Sequence, residues 1–182
     1  MGEPSIGGEG WNSFLRAGSR RRSRGNETVP TVPTVQRETP DQPDILAFLA
    51  QADQRSASLY PEESRHGLGV AALLAAGVRF FVARQDGRAL GCGGYMLLPE
   101  QAAEMKRLFV DPAARGRGVG SAIVRAIEQA AAEEGVRTLF LETGVKSFEA
   151  LRLYERHGFA GCGPFAGYRL DPLSVFMMKP LA

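Results

Sequence analysis

The sequence predicts a single mixed α/β domain (α+β in layout), with a central, mostly antiparallel mixed sheet flanked by helices and a disordered tail ahead of it. Three observations lead there. From about residue 32, apolar patterns of period two and period 3.6 alternate in the order β, α, α, β-β-β, α, β, α, β. Two strand-like runs, Arg79–Ala83 and Ala89–Leu97, are joined by Gln85-Asp86-Gly87-Arg88, where Asp-Gly is a strong hairpin signal. A third run ends at Leu108-Phe109-Val110 and passes through an Arg/Gly loop directly into a long amphipathic helix. With 182 residues, 44% of them hydrophobic, one core burying roughly 70% of the unfolded surface is within reach.

Each element has a local reason. Residues 1–31 are rich in Gly, Ser, Arg and Pro and read as disordered, and residues 32–182 form the domain. Val35–Thr39 is the first strand. Asp41 or Asp44 can cap the helix that carries Ile45, Leu46, Phe48 and Leu49. Leu59 to His66 is a loop, and Val70–Ala76 a short apolar helix ended by Gly77. The hairpin strands follow, and Ala102–Val110 completes an antiparallel set. In the helix Ser121–Glu134, residues Ile123, Val124, Ile127, Ala130 and Ala131 recur three and four apart. Thr138–Thr143 is a buried strand. Ser147–His157 is a helix with Phe148, Leu151, Leu153 and Tyr154 apolar, capped by Gly158.

Charge and composition exclude several classes. Residues 1–40 hold six Arg against four Glu, and the remainder is balanced at sixteen against sixteen, so the whole excess of +2 sits in the tail. The cluster Arg16, Arg20, Arg21, Arg22 and Arg24 is followed by no apolar segment, which argues against a secretory or twin-arginine signal. Ile6 breaks a myristoylation pattern. No apolar run approaches the ~20 residues of a membrane helix. Cys92 and Cys162 are too few for a disulfide framework or a zinc site; reduced cysteines, no metal and a cytoplasmic location are expected.

The loop Arg115-Gly116-Arg117-Gly118-Val119-Gly120 carries the first chemical signal. A glycine loop opening a helix offers unpaired N–H groups at the positive end of the helix dipole, worth about half a charge, and so makes an anion site. No Gly-Lys-Ser/Thr follows, so it is not a Walker loop. Gly116-x-Gly118-x-Gly120 also lacks the two-residue gap of a dinucleotide fingerprint. A phosphate or pyrophosphate fits; a bare strand-to-helix turn is the plain alternative.

In the form Arg115-x-x-Gly118-x-Gly120, the loop resembles the acyl-CoA pyrophosphate loop of the GNAT family of N-acetyltransferases. Downstream, Ser147-x-x-Ala150-x-x-x-Tyr154-x-x-x-Gly158-Phe159 is similar to that family's Asn-x-x-Ala-x-x-x-Tyr-x-x-x-Gly-Phe, departing only at Ser147. Glu142-Thr143-Gly144 and the run from Gly163 to Met178 resemble a bacterial branch of small-molecule type. The resemblance spans roughly residues 33 to 182.

It implies transfer of an acetyl group from acetyl-CoA to a primary amine of a small molecule or amino acid, by direct attack in a ternary complex. Arg115, Gly116, Arg117, Gly118, Val119, Gly120 and Ser121 would then cradle the pyrophosphate. Leu108, Phe109 and Val110 would offer backbone to the pantetheine arm, with an N–H near Val110 facing the thioester oxygen. Ser147 stands where an Asn would bond the CoA arm. Tyr154 matches the acid that protonates the leaving thiolate, its plain alternative being core packing. Glu104 and Glu142 are the candidate bases for the acceptor amine. Alternation places Glu104, Lys106 and Leu108 on one face unless a bulge intervenes.

For the acceptor, the family likeness points to the loop carrying Tyr60, Glu62, Glu63 and His66, with Lys106 beside it and Tyr168 and Asp171 closing the other side. The Gly-rich stretch Cys92-Gly93-Gly94-Tyr95 signals close backbone approach. Two other readings stay open: a non-catalytic acyl-CoA sensor, and a nucleic-acid-associated protein acting through the arginine cluster. No membrane partner is expected, and a homodimer is left open.

Overall fold

The structure, a computed structural model, describes residues 33–181. The expected disordered tail and its arginine cluster lie outside these residues. The elements run β1 (Thr34–Arg37), α1 (Pro43–Leu59), α2 (Val70–Ala75), β2 (Arg79–Gln85), β3 (Arg88–Leu98), β4 (Ala102–Val110), α3 (Val119–Glu133), β5 (Thr138–Gly144), α4 (Phe148–Arg156), β6 (Ala160–Gly161) and β7 (Ser174–Pro180). The strands form one sheet in the order β1-β2-β3-β4-β5-β7-β6. Only β4 and β5 run parallel; every other pair is antiparallel. This is the mixed, mostly antiparallel sheet with flanking helices that the sequence predicts.

Local chemistry sets the elements, with two departures near the start. Asp86 and Gly87 both have positive φ, 51° and 78°, as a two-residue hairpin turn with right-handed strand twist requires. Neither Asp41 nor Asp44 caps α1. Pro43 takes the first helical position, which moves the cap to Gln42. Asp44 instead accepts the Ile45 N–H at 3.0 Å and pairs with Arg84 at 2.7 Å. The loop after α1 also contains a single 3-10 turn, Glu62–Ser64.

Two apolar layers hold the sheet. On one face Ile123, Val124, Ile127 and Ala131 of α3 and Tyr154 of α4 pack on Tyr95, Met105, Leu139 and Leu141. On the other, Ile45, Phe48 and Leu49 of α1 and Leu73 of α2 pack on Phe80, Val82, Cys92 and Phe109. Phe48 and Phe109 meet with ring centroids 5.2 Å apart. The glycines of β3 let α3 sit close. A Cβ on Gly93 would lie 3.3 Å from Ile123 and 3.2 Å from Leu108, and one on Gly91 would lie 2.7 Å from the Phe109 carbonyl. The close approach expected of that stretch is therefore to a helix and the neighbouring strand.

Candidate active site

The sheet opens between β4 and β5. They pair only from Ala102↔Thr138 to Met105↔Leu141, although β4 continues to Val110 and β5 to Gly144. Beyond Met105 the two strands present main-chain groups to a cleft of about 630 Å³ instead of to each other. An exposed strand edge of this kind is a template for another extended chain.

A bulge in β4 decides what faces this cleft. Cys92 pairs with Phe109 and Gly94 with Lys106, so Arg107 and Leu108 together oppose Gly93. Arg107 takes φ 58°, left-handed for a non-glycine residue, a conformation that persists only when its surroundings enforce it. They do so here: its buried guanidinium pairs with Asp53 and donates to the Leu49 carbonyl at 3.0 Å, both on α1. The bulge reverses the alternation. Glu104 and Lys106 face the opposite side from Leu108 and Val110, which pack on the α3 layer. The expectation that Glu104, Lys106 and Leu108 share a face is thus corrected, for the reason anticipated.

At one end of the cleft stands the N-terminus of α3. Gly118 is its cap with φ 79°, and Gly116 has φ 74°. The first helical bond runs from Ala122 N–H to the Gly118 carbonyl, leaving the N–H groups of Val119, Gly120 and Ser121 without helical partners. A Cβ at Gly116 or Gly118 would meet nothing within 4 Å. Open space ahead of unpaired donors suits a phosphate, and Arg115 and Ser121 line the same space. Arg117 does not: its guanidinium turns away to the Gln85 side-chain carbonyl. The Phe109 ring packs on Phe48 in the α1 layer, while the residue also borders the cleft.

Tyr154 lines the middle of the cleft from α4 while packing against Phe159, with ring centroids 5.8 Å apart. It belongs both to the core and to the cleft wall. Burial pushes its hydroxyl well above the usual tyrosine range, with the Glu142 charge adding to the effect. The hydroxyl, protonated at neutral pH even without this shift, is held still further from ionisation. Ser147 occupies the position before α4 without a side-chain capping bond, and its hydroxyl lies 3.4 Å from Tyr60 Oη. Tyr60 is buried and accepts the Lys146 N–H at 2.8 Å. A Cβ on Gly144 would collide with the Tyr60 ring, so that ring is fixed by backbone on β5.

The other end is polar and buried. Glu104, 3% exposed, is the one charged residue buried as a whole, backbone and side chain together, among those described. Lys106 Nζ lies 2.6 Å from Glu104 Oε1 and donates to Tyr168 Oη at 2.7 Å, and that hydroxyl donates to Glu104 at 2.7 Å. Glu142 accepts the Ser174 hydroxyl at 2.7 Å. Burial raises its pKa above the ordinary carboxylate value, opposed by Ser174, His66 and Lys106. His66 lies edge-on to Tyr168 at 5.2 Å. Tyr168 is carried by an aromatic group, Phe165 at 5.1 Å and Phe176 at 5.5 Å, which sequence reasoning missed because no periodic pattern marks that loop.

Of the acceptor-loop candidates, Tyr60 and His66 line the main cleft and Glu62 and Glu63 do not. Glu62 projects into solvent, its side chain 94% exposed, because the 3-10 turn points it outward. Glu63, Tyr168 and Asp171 line a second cavity, which shares Ser64 and His66 with the first. Asp171 accepts the Leu173 N–H at 2.8 Å.

The raised pKa of Glu142 makes a stability prediction. The folded state holds this proton more tightly than the unfolded chain, so the stabilisation is complete at low pH and lost as pH rises through the folded pKa. Glu142→Gln stays neutral and keeps an acceptor for Ser174. Its melting temperature relative to the unsubstituted protein should therefore climb between about pH 4 and about pH 8. A difference that stays flat over that range in thermal denaturation would show that ionised Glu142 is not desolvated.

Comparison with known proteins accords with this geometry. The model of the acetyltransferase (GNAT) family matches residues 44–159. An IAA acetyltransferase of Azospirillum brasilense is 42% identical over 154 residues, 84% of this chain and 100% of that protein. The crystal structure of a Klebsiella pneumoniae protein named a putative acyl-CoA N-acyltransferase superimposes with a TM-score of 0.70 at 33% identity, over 83% of this chain and 99% of that one. The PaiA N-acetyltransferase of Thermoplasma acidophilum, crystallised with coenzyme A, shares the fold at a TM-score of 0.66 and 16% identity, over 82% of this chain and 99% of that one. With its splayed strands, glycine cradle and family match together, the chain belongs to the acetyltransferase (GNAT) family and is an N-acetyltransferase by class.

Proposed function

We propose that this protein moves the acetyl group of acetyl-CoA to a primary amine of a small molecule or amino acid, by direct attack in a ternary complex. The observation that carries this reading is the sharing of one cleft by three features: the unpaired N–H groups opening α3, the free edge of β4, and Tyr154. The residues present fit the cofactor. Acetyl-CoA, when bound, supplies the acetyl group as an activated thioester. Val119, Gly120 and Ser121 would hold its pyrophosphate through backbone N–H groups and the helix dipole, with Arg115 adding charge. Backbone from Leu108 to Val110 would pair with the pantetheine arm, and Ser147 lies beside that path.

The proton inventory assigns roles to side chains. Tyr154, protonated at neutral pH and lining the cleft, would donate to the leaving thiolate. The acceptor ammonium must lose a proton before nitrogen can attack. Glu142 has the environment a base needs: it lines the cleft, and burial raises its proton affinity. Glu104 is engaged with Lys106 and Tyr168, so we assign it to holding that group in place.

The test is thiol release from acetyl-CoA with a panel of amines, alongside binding of CoA by thermal shift. CoA should raise the melting temperature, and Gly118→Glu, which fills the cradle with bulk and negative charge, should abolish that rise. Unaltered CoA binding in a folded Gly118→Glu protein would remove the cradle assignment. Tyr154→Phe keeps the ring and loses the hydroxyl; turnover should fall by about 10²-fold with CoA affinity nearly unchanged. Ordinary turnover there would make the tyrosine purely a packing residue. Glu142→Gln should lose more turnover than Glu104→Gln, and the reverse order would return the base to Glu104. CoA binding without turnover of any amine would favour the acyl-CoA sensor.

A further inference from the structure

We propose that the acceptor carries a carboxylate close to its amine, and that Lys106 and His66 receive that carboxylate. The inference rests on the acetyl-transfer reading for the location of the acceptor, and on the charges of this end of the cleft for its chemistry. Glu104, Lys106, Glu142 and His66 all line the cleft. Two acids and two bases thus stand together, so the site is built for a ligand with both signs of charge.

Lys106 is the centre of the argument. Its side chain is 11% exposed and that of Glu104 4%, so the pair is desolvated. Removing two charges from water is costly, and an apolar pair of similar size commonly serves stability as well or better. Packing alone therefore does not account for it. The ammonium has three hydrogens. Glu104 and Tyr168 engage two, and no third partner is present among the described residues. Tyr168 also donates to Glu104, and its ring is clamped by Phe165 and Phe176. The ammonium is held still with one donor left for a ligand.

His66 supplies the second donor. It belongs to the wall shared with the second cavity, of about 740 Å³, and its ring abuts Tyr168. An acceptor with an amine alone would displace water and leave the third Lys106 hydrogen unpaired, a penalised outcome for a buried donor. A diamine would set its second cation against Lys106. A carboxylate pairs with Lys106 and His66 while the amine of the same molecule faces Glu142.

The experiment uses matched sets in which only the carboxylate changes. The common L-amino acids, their amides and the corresponding decarboxylated amines are compared in two ways: kcat/KM by thiol release from acetyl-CoA, and the shift in melting temperature of the CoA-loaded full chain. The best amino acid should exceed its amide and its amine by about tenfold or more in kcat/KM, the factor expected for one charge-assisted contact, and it alone should raise the melting temperature. Lys106→Met should abolish the preference, and Lys106→Arg should retain most of it. If Lys106→Met fails to fold with Glu104 left unpaired, Lys106→Met combined with Glu104→Gln keeps the site neutral and is read by the thermal shift alone.

Amides or plain amines that match or exceed the amino acids would overturn the proposal, as would amino acids that neither bind nor react. A preference that survives loss of the Lys106 charge would overturn the assignment to Lys106. Amino acids that stabilise the CoA-loaded protein and are not acetylated would leave the carboxylate site standing and remove the transfer reading.

Discussion

The active cleft depends on one strained residue. Arg107 sits in a left-handed conformation that is uncommon for a residue with a Cβ, and its guanidinium is buried against Asp53 and the Leu49 carbonyl of α1. Strain of this kind costs on the order of 1–3 kcal/mol and needs compensation from its surroundings. Here the compensation is a charge-assisted contact that also ties α1 to the sheet. Because two residues oppose Gly93, Lys106 and Arg107 emerge on the same side of β4. Upstream of the bulge the strand offers polar groups to one side; downstream it offers Leu108 and Val110 to the α3 layer. A regular strand could not do both.

The two ends of the cleft use charge differently. At the α3 end the positive potential comes from backbone N–H groups and a dipole, which need no side chain and suit an anion that arrives from solvent. At the other end the charges are side chains, desolvated and locked to one another. Partial charges fixed in a helix terminus are there whether or not a ligand is present. The Glu104–Lys106 pair on β4 is completed only when folding brings in a tyrosine 62 and 64 positions away.

That difference explains what could be read from the sequence. The glycine cradle was legible because its chemistry is local: three glycines, a strand before them and a helix after them. The helix of Tyr154 and its capping Gly158 were legible for the same reason. The Asp-Gly hairpin was fixed by the backbone preferences of two residues. The bulge was not legible in position, because it arises from pairing with β3 and from Asp53 on a distant helix. Nor was the outward turn of Arg117 toward Gln85, which becomes its neighbour only when β2 folds beside the loop. The placement of Pro43, which moves the α1 cap to Gln42, was present in the sequence and outweighed by the more familiar aspartates.

The close seating of α3 on the β3 glycines has a consequence for how such a protein can diversify. With Ile123 resting where side chains of Gly91 and Gly93 would be, that helix cannot slide without losing its layer. The half of the molecule proposed to hold the co-substrate is thereby rigid and intolerant of change. The other half is roofed by two loops, residues 60–69 and 162–173, which meet through the His66–Tyr168 ring contact and a Ser64–Asp171 hydrogen bond. Apart from Tyr60, Gly67 and Leu68, which touch the interior, most positions in these loops lie outside the packed layers. Ancestral lineages could therefore explore new acceptors by redrawing two loops while inheriting the chemistry unchanged.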